Sequence, residues 1–178
     1  MTIYKAGLIG CGGRGRAHAE GYQASAKVAI RACADPIEAT RESFAQDFGV
    51  PTLYDDYRAM LAAEDLDLVS VCTWTGQHRT MVEAAATSGV KAIHCEKPMA
   101  TNWGDAKALY QACVDNGVLI TFCHQRRFGP SFVKAKELLD SGAIGQLQRL
   151  EGACSNLFDW GTHWFDIFFF YNNEMPAE

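Results

Sequence analysis

A phosphate-binding pattern lies near the start of the chain. Gly10-Cys11-Gly12-Gly13-Arg14-Gly15 fits G-x-G-x-x-G, directly after an apolar run and at the head of a helix-like stretch. That context gives the pattern its meaning. The first glycine allows a tight turn, the second lets a pyrophosphate approach the backbone, and the third lets helix pack on strand. The helix start then offers N–H groups and a partial positive charge to phosphates. A glycine-rich turn without a ligand is the plainer alternative. Asp35 ends the next apolar run, 20 residues after Gly15. A carboxylate there can bond ribose hydroxyls and repel a 2′-phosphate, so NAD is the expected cofactor ahead of NADP. Asp35 can also cap a helix opening at Pro36.

Other chemistry-bearing residues come later. Glu96-Lys97-Pro98 follows the apolar run Lys91–Cys95; taken alone, a Glu-Lys pair is a surface pair. His163 stands four residues after Asp159 amid aromatics, where a histidine is ordinarily packed and hydrogen-bonded. Asp159, His163 and Asp166 have no further ligands close by, so no metal is expected. Trp74, Trp103, Phe128 and Trp160 offer flat faces to a sugar, although most aromatics serve the core. Arg126-Arg127 reads either as an anion contact or as a solvated basic turn, and His18, His94 and His124 show no spacing that suggests chemistry.

The elements that must position these residues follow from the apolar pattern. Strand-like runs occur at Tyr4–Ile9, Val28–Ala34, Leu66–Thr73, Lys91–Cys95 and Val118–Cys123. Helix-like stretches occupy Arg14–Ser25, Pro36–Phe48, Asp55–Ala63, Gln77–Ser88 and Asn102–Asn116, ending at turn formers such as Gly49, Gly89 and Asn116-Gly117. This alternation predicts right-handed β-α-β crossovers and an α/β fold, a doubly wound parallel sheet of Rossmann type. After Cys123 the rhythm changes to a helix at Pro130–Asp140, a half-polar strand at Gln146–Asn156 and the aromatic segment Trp160–Tyr171. The expected division is a dinucleotide-binding domain over 1–123 and, over 124–178, the incomplete beginning of a substrate and oligomerisation domain. About 50 residues are too few for an independent core.

Composition narrows the function. The 178 residues carry 16 Lys+Arg against 21 Asp+Glu, a net charge of −5, the wrong sign for a phosphate-backbone binder, so no nucleic-acid partner is expected. No apolar stretch nears the ~20 residues of a bilayer span, and no membrane is expected. Seven cysteines include no Cys-x-x-Cys pair, which reads as reduced, mostly buried thiols of a cytoplasmic protein.

In this order, the glycine loop, Asp67–His78, Glu96-Lys97-Pro98, Gln125–Phe128 and Asp159-Trp160-Gly161-Thr162-His163 make the chain resemble one particular family. It is the glucose–fructose oxidoreductase, inositol dehydrogenase and rhizopine catabolism family of NAD(P)-dependent dehydrogenases. The resemblance implies a Rossmann domain, then an α/β domain with an open sheet, and hydride transfer at a secondary alcohol of a sugar, sugar derivative or cyclitol. The catalytic lysine falls on Lys97, and the Asp and His of the late element fall on Asp159 and His163. Thr73, His78 and Glu96 then join Gly10, Gly12, Gly13, Arg14, Gly15 and Asp35 as expected cofactor contacts, and Arg126 and Trp160 join Lys97 and His163 as expected substrate contacts. Where the family often has Thr-Pro-Asn, this chain has Thr73-Trp74-Thr75, so an asparagine contact does not carry over. Family members are about twice this length, which implies a truncated chain and a homo-oligomer at full length. Two other functions fit the same elements: an NAD-dependent glycoside hydrolase, or a dinucleotide-binding module without catalysis.

Overall fold

The computed structural model describes residues 2–174. It divides into two bodies between Phe122 and Cys123. The first runs β1 (Tyr4–Ile9), α1 (Gly13–Gln23), β2 (Val28–Ala34), α2 (Glu38–Phe48), β3 (Thr52–Tyr54), α3 (Tyr57–Ala63), β4 (Leu68–Val71), α4 (His78–Ala86), β5 (Ala92–Cys95), α5 (Trp103–Asp115) and β6 (Leu119–Phe122). The six strands pair in parallel in the order β3-β2-β1-β4-β5-β6. The order reverses between β1 and β4, where open α/β sheets bind ligands at the carboxyl ends of their strands.

Strand residues alternate between two cores. Ile9, Val69, Val71, Ile93 and Cys95 pack with Met60, Val82, Ala85, Leu109 and Cys113 of α3, α4 and α5. Leu8 and Cys33 pack with Ala19 and Phe44 of α1 and α2 on the opposite face. Helices therefore cover both faces, as the alternating pattern predicts.

The helix starts show local chemistry at work. Asp56 caps α3 by accepting from Arg58 N at 2.9 Å, and Asn102 caps α5 by accepting from Asp105 N at 2.9 Å. Asp35 behaves differently from the cap read in the sequence. Its Oδ1 accepts from Ile37 N at 2.9 Å, a local turn that keeps Pro36 out of the helix, so α2 opens at Glu38 with Ile37 at the cap position. The short edge strand β3 was not among the expected strands; three residues are too few to show a period.

The second body contains a short 3₁₀ turn at Gln125–Phe128, α6 (Pro130–Asp140) and α7 (Gly161–Asn172). Arg127 grips Asp166 through Nε at 2.9 Å and through Nη2, and the Tyr171 hydroxyl donates to the Phe132 carbonyl at 3.3 Å. The strand expected at Gln146–Asn156 is not one. No ladder partner for it exists among the described residues, and a strand needs a neighbour. The segment instead runs against α7, where a Cβ on Gly152 would lie 3.0 Å from Phe168 Cζ and 3.3 Å from Trp164. The aromatic segment itself forms α7.

Candidate active site

The glycine loop leaves β1 and enters α1 through contacts that exclude side chains. Gly10 has φ +94, and a Cβ there would lie 2.6 Å from the Cys72 carbonyl oxygen. At Gly15 a Cβ would lie 2.0 Å from the Gly10 oxygen, so only hydrogen lets α1 pack on the turn. Gly12 and Gly13 meet nothing within 4 Å, and Gly12 caps α1 without a side-chain bond. The result is an open cradle at the head of an 11-residue helix, suited to a pyrophosphate. Asp35 steadies it: Oδ2 accepts from Cys11 N at 2.9 Å. With its two bonds to Cys11 and Ile37 made, the carboxylate keeps lone pairs for ribose hydroxyls. These features fit a dinucleotide.

On the other side of the reversal, a buried network centres on Glu96, the residue after β5. Its Oε1 accepts from Arg14 Nε at 2.6 Å, Arg14 Nη2 at 2.5 Å and His18 Nε2 at 3.1 Å. Its Oε2 accepts from Lys97 N at 3.2 Å. His18 Nδ1 meets Ser70 Oγ at 3.1 Å, which meets the Tyr22 hydroxyl at 2.6 Å. One consistent set of donors runs from Tyr22 to Ser70, from Ser70 to His18, and from His18 to Glu96. Burial pushes the Glu96 carboxyl up, but the hydrogen bonds from His18 and Arg14 and the Arg14 charge outweigh it and hold it at about 2. His94 stacks on His18 with ring centroids 4.8 Å apart and shares Nδ1 with Thr121 Oγ1 at 2.8 Å. Burial, with the neighbouring His18, lowers its imidazole to about 4. Burial likewise raises the Tyr22 phenol.

His18, Ser70, Tyr22 and His94 were not expected at the site. Their signals were present but weak: a lone serine inside the apolar β4, a histidine inside β5, and His18 and Tyr22 four apart on α1. Only the pairing of β4 with β5, and α1 lying over β4, brings them together.

Thr73 and His78 close this side. Thr73 Oγ1 donates to Met81 Sδ at 3.2 Å, while its methyl lies where a Gly10 Cβ would be 3.1 Å away. The His78 ring is 0% exposed, with Nδ1 2.9 Å from the Pro98 carbonyl and Nε2 3.1 Å from the Thr73 carbonyl. It ties the β4 loop to the Lys97-Pro98 loop and turns no ring atom outward. Lys97 is half-buried, and its peptide bond to Pro98 is cis.

The remaining expected residues lie on the second body. His163 sits in the first turn of α7, buried, with its ring 5.8 Å from His124 and 6.3 Å from Trp160. Thr162 does not cap α7: its Oγ1 donates to the Asp159 carbonyl at 2.9 Å, and Trp160 holds the cap position. Asp159 N donates to Asn156 Oδ1 at 2.7 Å. The Arg126 guanidinium lies over the Trp160 ring at 4.9 Å, and its Nε has no hydrogen-bond partner among the described residues. Arg127 and Asp166 are committed to each other.

A family model described as an oxidoreductase family with an NAD-binding Rossmann fold matches residues 4–124. The chain belongs to this family. D-apiose dehydrogenase of Paraburkholderia graminis is 38% identical over 142 residues, covering 80% of this chain and 38% of that protein. Inositol 2-dehydrogenase of Rhizobium meliloti is 33% identical over 148 residues, covering 83% and 44%. The solved structure of an oxidoreductase from Agrobacterium radiobacter, in complex with NAD+, L-tartaric acid and magnesium, superposes with a TM-score of 0.86 at 27% identity, covering 96% of this chain and 55% of that one. The chain spans about two fifths of the length of these curated relatives. Its first body is thus an NAD-binding Rossmann fold of this oxidoreductase family. None of the seven cysteines forms a disulfide, and no helix among the described residues is long and apolar enough to cross a membrane.

Proposed function

We propose that this chain is the cofactor-binding part of an NAD-dependent dehydrogenase acting on a secondary alcohol of a sugar, sugar derivative or cyclitol. The observation that carries this reading is the Glu96 carboxylate, which joins Arg14 of the phosphate cradle to the backbone of Lys97. A pure nucleotide binder has no need to hold a lysine at a fixed place beside its phosphate loop. Gly10, Gly12, Gly13, Arg14 and Gly15 hold the pyrophosphate, Asp35 the ribose, and Thr73 lines the far side of the cradle. His78 and Glu96 act from behind, by fixing the loops.

Bound NAD supplies the hydride acceptor. Lys97 and His163 are assigned to the proton of the substrate hydroxyl, with Asp159 orienting the imidazole or bonding a neighbouring hydroxyl. Arg126 and Trp160 offer a cation and a flat ring to a polyol. Residues 124–178 are the beginning of the substrate domain, the working form is a homo-oligomer, and thiols without disulfides suit the cytoplasm.

The test is NADH formation from a panel of aldoses, sugar acids and inositols by the protein carrying its complete second domain. Lys97→Ala should lower turnover about 10²–10⁴-fold while leaving NAD affinity nearly intact. Near-normal turnover without Lys97 would make this lysine structural. Glycoside cleavage without net NADH would move the reading to a hydrolase.

A further inference from the structure

The loop after β4 carries an indole that its own chain leaves bare. Trp74 is 86% exposed, although its backbone is fixed: its carbonyl accepts from Gln77 N at 2.8 Å and opens the 3₁₀ turn Thr75–Gln77. An indole this large, held out on a rigid stalk, keeps its whole apolar face in water. Its location is specific. It follows Thr73, whose methyl crowds Gly10 of the phosphate loop, and Cys72 N bonds the Ile9 carbonyl at 2.8 Å. Trp74 therefore stands where β4 meets the end of β1, at the reversal of the sheet.

The two halves of a dinucleotide lie on opposite sides of that reversal. Asp35 follows β2 and marks the adenosine side. The β4 loop belongs to the other half, which ends in nicotinamide. In NAD+ that ring is a flat cation, and the indole face is the strongest cation–π partner among side chains. Resting on the NAD-binding reading above, we propose that Trp74 stacks on the nicotinamide ring and favours its oxidised, cationic form. The cofactor's charge state, and not only its shape, is then read by this chain.

The test measures Kd for NAD+, NADH and ADP-ribose, which lacks nicotinamide, on the 178-residue chain and on its Trp74→Phe and Trp74→Ala variants. Removing the indole should weaken NAD+ about tenfold, weaken NADH less, and leave ADP-ribose unchanged. Phe should fall between Trp and Ala. Indole-sensitised emission from bound NADH should drop in both variants. An unchanged NAD+ Kd in Trp74→Ala would overturn the proposal, and so would equal losses for NAD+ and ADP-ribose. A wild-type chain that binds neither dinucleotide nor ADP-ribose would overturn the cofactor reading and this one with it. Because Trp74 is so exposed, its removal leaves the fold intact, and matching thermal unfolding curves check this.

Discussion

Glu96 keeps its charge with only 5% of its side chain exposed, and the unfolded chain offers it no such set of donors. Its folded value of about 2 lies below the roughly 4.3 of an unfolded glutamate. The stability it contributes is therefore present above about pH 4.3 and lost as pH falls towards 2. His94 adds a second window. Its folded value of about 4 lies below the ordinary 6.5 or so, so the fold favours neutral imidazole; that stability is complete above about pH 6.5 and is lost as pH falls to 4. Urea unfolding from pH 7 to 3 should show two declining limbs. His94→Gln should flatten the upper one and Glu96→Gln the lower; an upper limb unchanged in His94→Gln would contradict the assignment. At Asp35 the issue is selectivity. Asp35→Asn keeps an acceptor for Cys11 N but removes the charge facing a 2′-phosphate, so calorimetry should show the preference for NAD over NADP narrowing about tenfold. Equal preference in the wild type would remove Asp35 from that role.

The turn between β1 and α1 separates two meanings of glycine. A Cβ at Gly15 would sit 2.0 Å from backbone, whereas one at Gly12 would meet nothing. Gly15→Ala should destabilise the chain by about 2 kcal/mol or more, read as a lower Tm. Gly12→Ala should unfold like wild type yet bind NAD at least tenfold more weakly, because the methyl enters space a phosphate needs. The glycine loop and strands Tyr4–Ile9 and Val28–Ala34 were legible in the sequence, because an apolar run leading into the glycine pattern, and a second ending before Asp35, have few other readings. The start of α2 was displaced because a side chain, Asp35, competes for the backbone ahead of it. The Gln146–Asn156 segment is half-polar and without a helical turn signal, yet pairing is a property of two segments and the second is absent among the described residues. The same limit hid the Glu96 network: polar groups that meet across β4, β5 and α1 leave no period along the chain.

At the scale of the molecule, the first body carries two cores, while the second rests on α6, α7 and their polar ties. Ile144, Leu157, Phe158 and Phe165 of the second body remain exposed, which favours self-association. Sedimentation velocity should show mass rising with concentration, and Leu157→Ser with Phe158→Ser should lower it while NAD binding stays unchanged. A concentration-independent monomer would show that these residues are tolerated in water. The Glu96 tie has a further consequence for lineage. The gap between cradle and lysine is set by hydrogen bonds from a helix side chain to a loop carboxylate, all within the first body, so whatever chain follows Phe122 is free to diverge without recalibrating it.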